Sequence, residues 1–383
     1  MGGMPEIAPH IARMPGSGVR HILERALRRP GTIILAVGEP GEVAGERIRD
    51  AASRAWHDGA IRYTPNGGIP ALRDAIRDKL ARENALNVDL EQIWVTVGAT
   101  QALHLAMALT LSEGDEVLVP DPGYTTFTMN AHLLQATPVP YPLRPERAFQ
   151  PDLGELEALV TPRTRAIIVN TPSNPLGSTF DRATLEALIA LARRHDLWLI
   201  SDEVYERFTW GEPHVSPATL DADGRVLSVF SMSKTYAMTG ARVGWLVTPP
   251  GWRQTMLRVQ ESVVSCVDEP SQRAAAEALT GDQDPVARNA AHYRDNLAAA
   301  TALLDARGLR YLDPTGAFYL WIDVSHVSAG DVVAWCEQFL DEQGVAVAPG
   351  RAFGASGEGW IRVCVASDRD ELLEGLGRIP APA

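Results

Sequence analysis

Short apolar runs rich in β-branched residues recur between about residues 93 and 247. In chain order they are IWVTV, EVLVP, AIIVN, LWLIS, RVLSVF and RVGWLV. Because most of them are separated by helix-length segments, they are typical of a mainly parallel sheet covered by helices on both faces. The last two runs are too close together for a covering helix, so the final strand is expected to be antiparallel. The alternation predicts an α/β fold.

The chain changes character near residue 273, which predicts a second, smaller domain. An Ala-rich helical segment is followed there by FYLWIDV, a further helical segment and IRVCVA, a mixture typical of an α+β unit. The N-terminal arm is expected to fold back onto this unit. We predict an arm at 1–45, a large domain at 46–272 and a small domain at 273–383. The proline-rich segment at 138–152 is interpreted as an extended crossing.

The bulk composition excludes several classes of protein. A formal charge of -13 argues against a nucleic-acid or anionic-membrane partner, since both need a basic surface. The three cysteines are far apart and form no CxxC pair, so we expect neither a disulfide framework nor a metal site. No stretch has the apolar length of a signal peptide core or a membrane span. A cytoplasmic protein is expected.

Lysine is rare in this chain, and one lysine stands in the run SMSKTYAMTGARVGW. The sequence has two lysines and thirty-three arginines. An ε-amine that loses its proton can form a Schiff base with a carbonyl, whereas a guanidinium stays charged and unreactive. Lys234 is therefore the first candidate for a catalytic residue.

Polar side chains follow the predicted strands where each strand ends. In an open α/β sheet, ligands bind at the carboxyl ends of the strands. The candidates, in chain order, are Ala99 and Thr100 in a turn before a helix, Tyr124, Asn174, Asp202, Tyr205, Ser231, Ser233 and Lys234. We expect these residues to share one site.

This set matches the functional groups of pyridoxal 5'-phosphate. Lys234 can take the aldehyde as a Schiff base, and a buried Asp202 can keep the ring nitrogen protonated. Asn174 and Tyr205 can donate to the phenolic oxygen, while the ring can stack on Tyr124. The candidates for the phosphate are Ser231, Ser233, Ala99, Thr100 and Arg242.

The motifs resemble those of the class I/II aminotransferases, which are aspartate aminotransferase-like, fold-type I pyridoxal-phosphate enzymes. SMSKTYAMTGARVGW is similar to their cofactor-lysine motif, TPSNPLG to Asn-Pro-x-Gly and SDEVYERF to Asp-Glu-x-Tyr. YTPNGGIPALRDAI resembles the segment in which a tyrosine, here Tyr63, reaches the cofactor phosphate of the neighbouring subunit. LAVGEP and IRVCVA place Gly38 and Arg362 where the family binds the substrate carboxylate. The resemblance implies a seven-stranded large domain, a small domain and a homodimer with shared sites.

The activity implied by the resemblance is a ping-pong transfer of an amino group from an α-amino acid to a 2-oxo acid. Arg362, Gly38 and Asn174 would hold the substrate, and Lys234 would move the α-proton. Asp202 and Tyr205 would be its catalytic partners. Thr100 stands where some aspartate-using relatives carry a lysine for the distal carboxylate, which leaves the substrate open.

Three alternatives remain from the sequence alone. Enzymes of the same fold perform β-elimination, replacement or cyclisation on an amino acid, and the motifs do not separate these from transamination. Ser231-Met232-Ser233-Lys234 also matches the S-x-x-K signature of serine acylases, although the companion K-T-G is missing. A non-catalytic regulator is disfavoured, because it would have no reason to keep both Lys234 and Asp202.

Overall fold

A seven-stranded sheet forms the centre of the computed structural model, which describes residues 5–12 and 14–382. The strands, in chain order, are β1 Ile33–Ile34, β2 Ile93–Val97, β3 Glu116–Asp121, β4 Thr137–Pro142, β5 Thr164–Asn170, β6 Trp198–Asp202, β7 Val226–Ser231, β8 Val243–Val247, β9 Tyr311–Leu312, β10 Tyr319–Asp323, β11 Val345–Ala346, β12 Ala348–Pro349 and β13 Trp360–Cys364.

Helices cover the sheets and join most of these strands. They are α1 Pro9–Ala12, α2 Gly18–Ala26, α3 Glu46–His57, α4 Pro70–Glu83, α5 Gly98–Thr110, α6 Thr125–Leu133, α7 Leu153–Ala158, α8 Arg182–Arg194, α9 Arg253–Val263, α10 Glu269–Thr280, α11 Asp284–Ala306, α12 Ser325–Ser328, α13 Val332–Gln343 and α14 Arg369–Gly377. Several begin at an aspartate cap: the Asp181 carboxylate accepts from the Thr184 N–H at 2.7 Å and so satisfies a free donor at the start of α8.

The large sheet has the order β2-β8-β7-β6-β5-β3-β4 and confirms the predicted α/β architecture. Strand β8 is antiparallel to both of its neighbours, β7 and β2, while the pairs among β3, β4, β5, β6 and β7 are parallel. The expected antiparallel final strand is therefore confirmed. All six apolar runs of the sequence are strands of this sheet.

Strand β4, the seventh, includes the start of the proline-rich segment at 138–152, which the sequence analysis interprets as an extended crossing. Its sequence is TPVPYP, and it pairs with β3 alone at the edge of the sheet. Proline cannot donate to a ladder hydrogen bond, so it is tolerated on an edge strand, where one side of the backbone has no partner strand. The start of this segment is extended, as predicted, but its pairing with β3 was not foreseen because of its prolines.

Both faces of the large sheet are buried, as the continuous apolar strands predicted. In β5, Ile167 and Val169 belong to one apolar cluster, together with Leu188 of α8. Their neighbour Ile168 points to the other face and belongs to a second cluster, with Leu103 of α5. Alternate side chains of one strand thus reach helices on opposite sides of the sheet.

A smaller antiparallel sheet, ordered β12-β13-β10-β9, lies in the C-terminal part of the chain. The N-terminal arm joins this region, because β1 pairs in parallel with β11. Helix α2 is held there by ion pairs from Arg25 to Glu337 and Asp341 of α13, at 2.7 and 2.8 Å. The boundary proposed after residue 272 falls inside α10 and remains a prediction, and residues 1–4 of the predicted arm lie outside the described residues.

The chain's second lysine is buried inside the protein. Lys79 of α4 is 2% exposed and forms an ion pair with Glu206. Its ammonium also donates to Asn84 Oδ1 at 2.7 Å and lies 5.1 Å from the centre of the Phe230 ring. A buried charge needs such partners, since removing an ammonium from water is costly.

Candidate active site

A cavity of about 630 Å³ opens at the carboxyl ends of the large sheet's strands, between the two sheets and the N-terminal arm. Twelve of the thirteen residues predicted for the site line it. They are Gly38, Ala99, Thr100, Tyr124, Asn174, Asp202, Tyr205, Ser231, Ser233, Lys234, Arg242 and Arg362. The residues at the ends of β5, β6 and β7 meet here because parallel strands end at the same edge of the sheet, while the arm supplies Gly38 and the small sheet supplies Arg362.

Lys234 lies in the short connection between β7 and β8. Its amine donates a hydrogen bond to the carbonyl oxygen of Gly38 at 2.6 Å and lies 5.9 Å from the centre of the Tyr205 ring. Burial lowers the pKa of Lys234 to about 8, because the charged form loses hydration. The amine is therefore much closer to its nucleophilic neutral form at physiological pH than an exposed lysine would be.

Asp202 ends β6 and is 3% exposed. Its carboxylate accepts the N–H of Val204 at 3.3 Å. Burial raises the pKa of Asp202 to about 7, and the adjacent carboxylate of Glu203 adds to this effect. A buried carboxylate with so little compensation is suited to pair with a cationic or N–H group of a ligand.

Arg362, on β13, presents a buried guanidinium to the cavity. The residue is 4% exposed, and its Nη1 donates to Asn174 Oδ1 at 2.7 Å while Nη2 donates to the carbonyl of Ala36. The guanidinium carbon lies 4.5 Å from the centre of the Tyr319 ring and 4.8 Å from that of Phe353. Its Nε has no hydrogen-bond partner among residues 5–12 and 14–382. Such a cation fits a carboxylate ligand.

Tyr205 and Tyr319 are joined at the hydroxyl, with 2.6 Å between the two oxygens. Gly38 lies against the same hydroxyl: a Cβ added to Gly38 would stand only 1.9 Å from Tyr319 Oη. Position 38 therefore has to be glycine for the arm to approach Lys234 and Tyr319 this closely.

An anion cradle lies at the start of α5. Ala99 and Thr100 are in its first turn, where backbone N–H groups are free, and Arg242 reaches the same place. Gly98 has φ +70°, and a Cβ there would be 2.5 Å from Arg242 Nη2, so glycine allows the guanidinium to come close. Ser231 Oγ accepts the N–H of Ser233 at 3.0 Å and lines the same end of the cavity. The set fits a phosphate group.

Tyr124 and Tyr63 occupy very different positions. Tyr124 precedes α6, lines the cavity and packs edge-on against Phe127 at 5.7 Å between ring centres. Tyr63 is 91% exposed and does not line the cavity of its own chain. A role for Tyr63 in the active site would therefore require a second subunit.

The structure also brings residues to the cavity that the sequence reasoning missed. They are Ser17, Val19, Arg20 and Leu23 of the α2 region, Val37, Glu39, Leu103, Thr125, Thr126, Met129, Val204, Thr239, Tyr319 and Phe353. Arg20 is exposed and forms no ion pair within the described part of the chain. The motif FYLWIDV predicted only a strand. The hydroxyl of its tyrosine, Tyr319, was the one sequence feature that could have indicated a role in the site.

Comparison with known proteins explains this constellation. The family model for Aminotransferase class I and II matches residues 30–379. The chain belongs to the class I and II aminotransferase family. It is an aminotransferase enzyme, and neither the serine acylase nor the other same-fold reactions are favoured.

The family's named relatives match this aminotransferase over nearly its full length. It is 32% identical to an aspartate aminotransferase of Pyrococcus horikoshii, covering 97% of this chain and 96% of the relative. It is 37% identical to an aspartate/prephenate aminotransferase of Thermus thermophilus, covering 92% and 91%. The structure of Thermus thermophilus aspartate aminotransferase with maleate superposes with a TM-score of 0.92, at 35% identity over 98% of this chain and 99% of that one.

Members of this aminotransferase family use pyridoxal phosphate. The residues present fit that group: a buried carboxylate with little compensation, an amine of lowered pKa and an anion cradle at a helix start line one cavity. In the described residues, no helix combines the length and apolar character needed to cross a membrane.

Proposed function

We propose that this aminotransferase binds pyridoxal 5'-phosphate in the cavity at the carboxyl ends of β2, β5, β6 and β7. Lys234 would hold the aldehyde, Asp202 the ring nitrogen, and Asn174 with Tyr205 the phenolic oxygen. Tyr124 would lie against the ring. The phosphate would bind at Ala99, Thr100, Ser231, Ser233 and Arg242. The presence of a buried amine, carboxylate and guanidinium in one cavity carries this proposal.

When bound, pyridoxal phosphate supplies an aldehyde that exchanges amines and a ring that accepts electrons from the substrate's Cα. Asp202 keeps the ring nitrogen protonated by holding a negative charge beside it. Arg362 binds the α-carboxylate through its buried guanidinium, with the Gly38 backbone beside it. The amine of Lys234 would act as the base and acid: it would take the proton from the substrate's Cα and deliver it to the carbon of the cofactor's aldehyde group.

We further propose that the substrates are an α-amino acid and a 2-oxo acid, one of them dicarboxylic. Arg20 supports this choice, because it brings an exposed cation without an ion-pair partner in the described residues to the cavity. Some aspartate-using relatives bind the distal carboxylate with a lysine at the position of Thr100. Arg20 would supply the positive charge that Thr100 lacks. Leu23, Leu103 and Met129 line the cavity too, and they would accommodate the apolar part of a side chain.

The working unit is proposed to be a homodimer in which Tyr63 reaches the cofactor phosphate of the partner. Its 91% exposure in a single chain supports this idea, since a large aromatic ring rarely stays fully in water without a partner surface. A cytoplasmic location is proposed as well. It is supported by Cys266, Cys336 and Cys364, all of which are free thiols.

A half-reaction tests the function. Purified protein loaded with pyridoxal phosphate is mixed with single amino acids, without an oxo acid, and the absorption spectrum is followed. We expect a suitable donor to convert the yellow enzyme to the pyridoxamine form in one turnover, with release of one 2-oxo acid. Release of ammonia from the donor would instead indicate elimination, and a colourless protein would contradict the proposed cofactor site.

Mixing inactive variants tests the shared site. Tyr63→Ala and Lys234→Ala proteins are prepared separately and then mixed under conditions that exchange subunits. If Tyr63 acts across the interface, mixed dimers contain one intact site and activity returns. Failure to recover activity, although subunit exchange is shown by mass, would place Tyr63 outside the neighbouring site.

A further inference from the structure

Tyr319 connects two groups of the site that are otherwise separate. It lies on β10, where it pairs with Cys364 of β13, two residues after Arg362. Residues two apart on a strand share one face, so Tyr319 and Arg362 are diagonal neighbours on the same face of the small sheet. This register explains why the Arg362 guanidinium lies 4.5 Å from the centre of the Tyr319 ring.

The ring and the hydroxyl of Tyr319 have different partners. The ring faces a cation that is 4% exposed, where a cation–π contact is strengthened because water is absent. The hydroxyl is 2.6 Å from the hydroxyl of Tyr205 and lies against Gly38. One side chain therefore contacts the proposed carboxylate-binding arginine, the proposed donor to the cofactor and the arm that accepts from Lys234.

A hydroxyl has one proton to donate, and this limits what Tyr205 can do. If Tyr205 gives its proton to Tyr319, it can only accept at the cofactor's phenolic oxygen. If Tyr319 donates instead, the proton of Tyr205 is free to point into the cavity. Tyr319 thus decides whether Tyr205 acts as a donor there.

We propose that Tyr319 is a positioning residue, which donates to Tyr205 so that Tyr205 can donate to the cofactor and whose ring supports Arg362. The inference rests on the proposed function, since it concerns the same cofactor and carboxylate sites. It assigns separate effects to the two parts of the side chain. The hydroxyl should affect the cofactor, and the ring should affect substrate binding.

The test separates these effects with two variants. Tyr319→Phe removes the hydroxyl and keeps the ring, and Tyr319→Leu removes both. The visible absorption of the enzyme loaded with pyridoxal phosphate is titrated against pH. Without the Tyr319 hydroxyl, Tyr205 is a weaker donor to the cofactor's phenolic oxygen, and more negative charge stays on that oxygen. This charge stabilises the protonated form of the nitrogen that joins Lys234 to the cofactor. Tyr319→Phe should therefore raise the midpoint of the colour change by about half to one pH unit.

Steady-state kinetics supply the second measurement. Tyr319→Phe should leave KM for the amino donor within about twofold, because the cation–π contact remains. Tyr319→Leu should raise KM roughly 5- to 30-fold, since Arg362 loses the ring that supports it. In a Tyr205→Phe background the midpoint shift caused by Tyr319→Phe should vanish, because the hydroxyl then has no partner to orient.

Tyr293→Phe is the matched control. Its buried phenol donates to Glu42 at 2.8 Å, and neither residue lines the cavity. The control should leave the midpoint unchanged. If wild-type protein forms no coloured complex, the proposed function fails. If the complex forms but Tyr319→Phe titrates like the control, or its shift persists without the Tyr205 hydroxyl, the inference about Tyr319 is overturned.

Discussion

The amine of Lys234 donates to the carbonyl oxygen of Gly38 at 2.6 Å, across a sequence separation of 196 residues. The bond joins the N-terminal arm to the connection between β7 and β8. Because the partner is a neutral carbonyl rather than a carboxylate, it orients the amine but stabilises the protonated form less than a carboxylate would. Burial then lowers the pKa of Lys234 to about 8. The arm thus orients the amine while leaving it able to react.

Replacing Lys234 with arginine should abolish turnover while leaving the fold intact. The cation is kept, but a guanidinium does not form a Schiff base at neutral pH. Borohydride treatment of wild-type enzyme loaded with pyridoxal phosphate should attach the cofactor to the peptide containing residue 234, as read by mass spectrometry. Attachment at Lys79, or labelling of the arginine variant, would contradict the assignment.

Gly38→Ala should reduce activity strongly, because the new Cβ would stand 1.9 Å from Tyr319 Oη and push the arm away from Lys234. We expect a loss of about 1 to 3 kcal/mol in thermal or urea unfolding as well, as for other overpacked sites. Gly211→Ala is the control, since a Cβ there meets nothing within 4 Å. Equal activity of the two variants would show that the close approach has no role.

Asp202→Asn should remove turnover and yet stabilise the cofactor-free protein at about pH 8 relative to wild type. Burial raises the pKa of Asp202 from an ordinary 3.8 to about 7, so the folded state binds its proton more tightly than the unfolded state. The contribution of Asp202 to stability is therefore present below about pH 4 and lost as pH rises through about 7, by at most about 1.4 kcal/mol per pH unit.

Urea unfolding of both proteins across that pH range measures the effect of Asp202. Other groups titrate in wild type and variant alike, so the difference between the two curves isolates this carboxylate. We expect the difference in favour of the asparagine variant to grow from about pH 4 to about pH 7. If the free energies of unfolding of the two proteins changed with pH in parallel, burial would not disfavour the charged form of Asp202.

Arg20→Gln should raise KM for aspartate or another dicarboxylic donor about three- to tenfold, since a charge-assisted contact to the distal carboxylate is lost. KM for an aromatic donor should stay near that of wild type. Arg28→Gln is a suitable control, because Arg28 is also exposed, follows the same helix and does not line the cavity. Equal losses with both donor classes would assign Arg20 to the stability of α2 instead.

Most of the large sheet could be predicted from the sequence because a buried strand needs an apolar run and a covering helix needs length. Strand β4 could not, since its prolines usually mark a break and are accepted only at an edge. The site residues could be predicted where they lie at the end of an apolar strand. Asp202 is the last residue of β6 and Lys234 lies three residues after β7, and the position of a strand end is readable from the sequence.

Arg20 and Tyr319 could not be found in that way. Arg20 reaches the cavity because α2 is fixed to α13 by ion pairs. Tyr319 reaches it because of its register with β13. Both depend on how distant segments pack, which no local pattern encodes. Tyr63 is the reverse case: the sequence predicted its role, but a single chain does not test it, because the role requires a second chain.

The burial of Lys79 has a practical consequence for chemical modification. With Lys79 enclosed by Glu206, Asn84 and an aromatic ring, and Lys234 inside the cavity, neither of the protein's two lysines stands on its outer surface. Reagents that acylate amines usually modify many lysines of a protein. Here they would have one reachable lysine side chain, that of Lys234. Labelling in the presence and absence of a cavity ligand would report directly on occupancy.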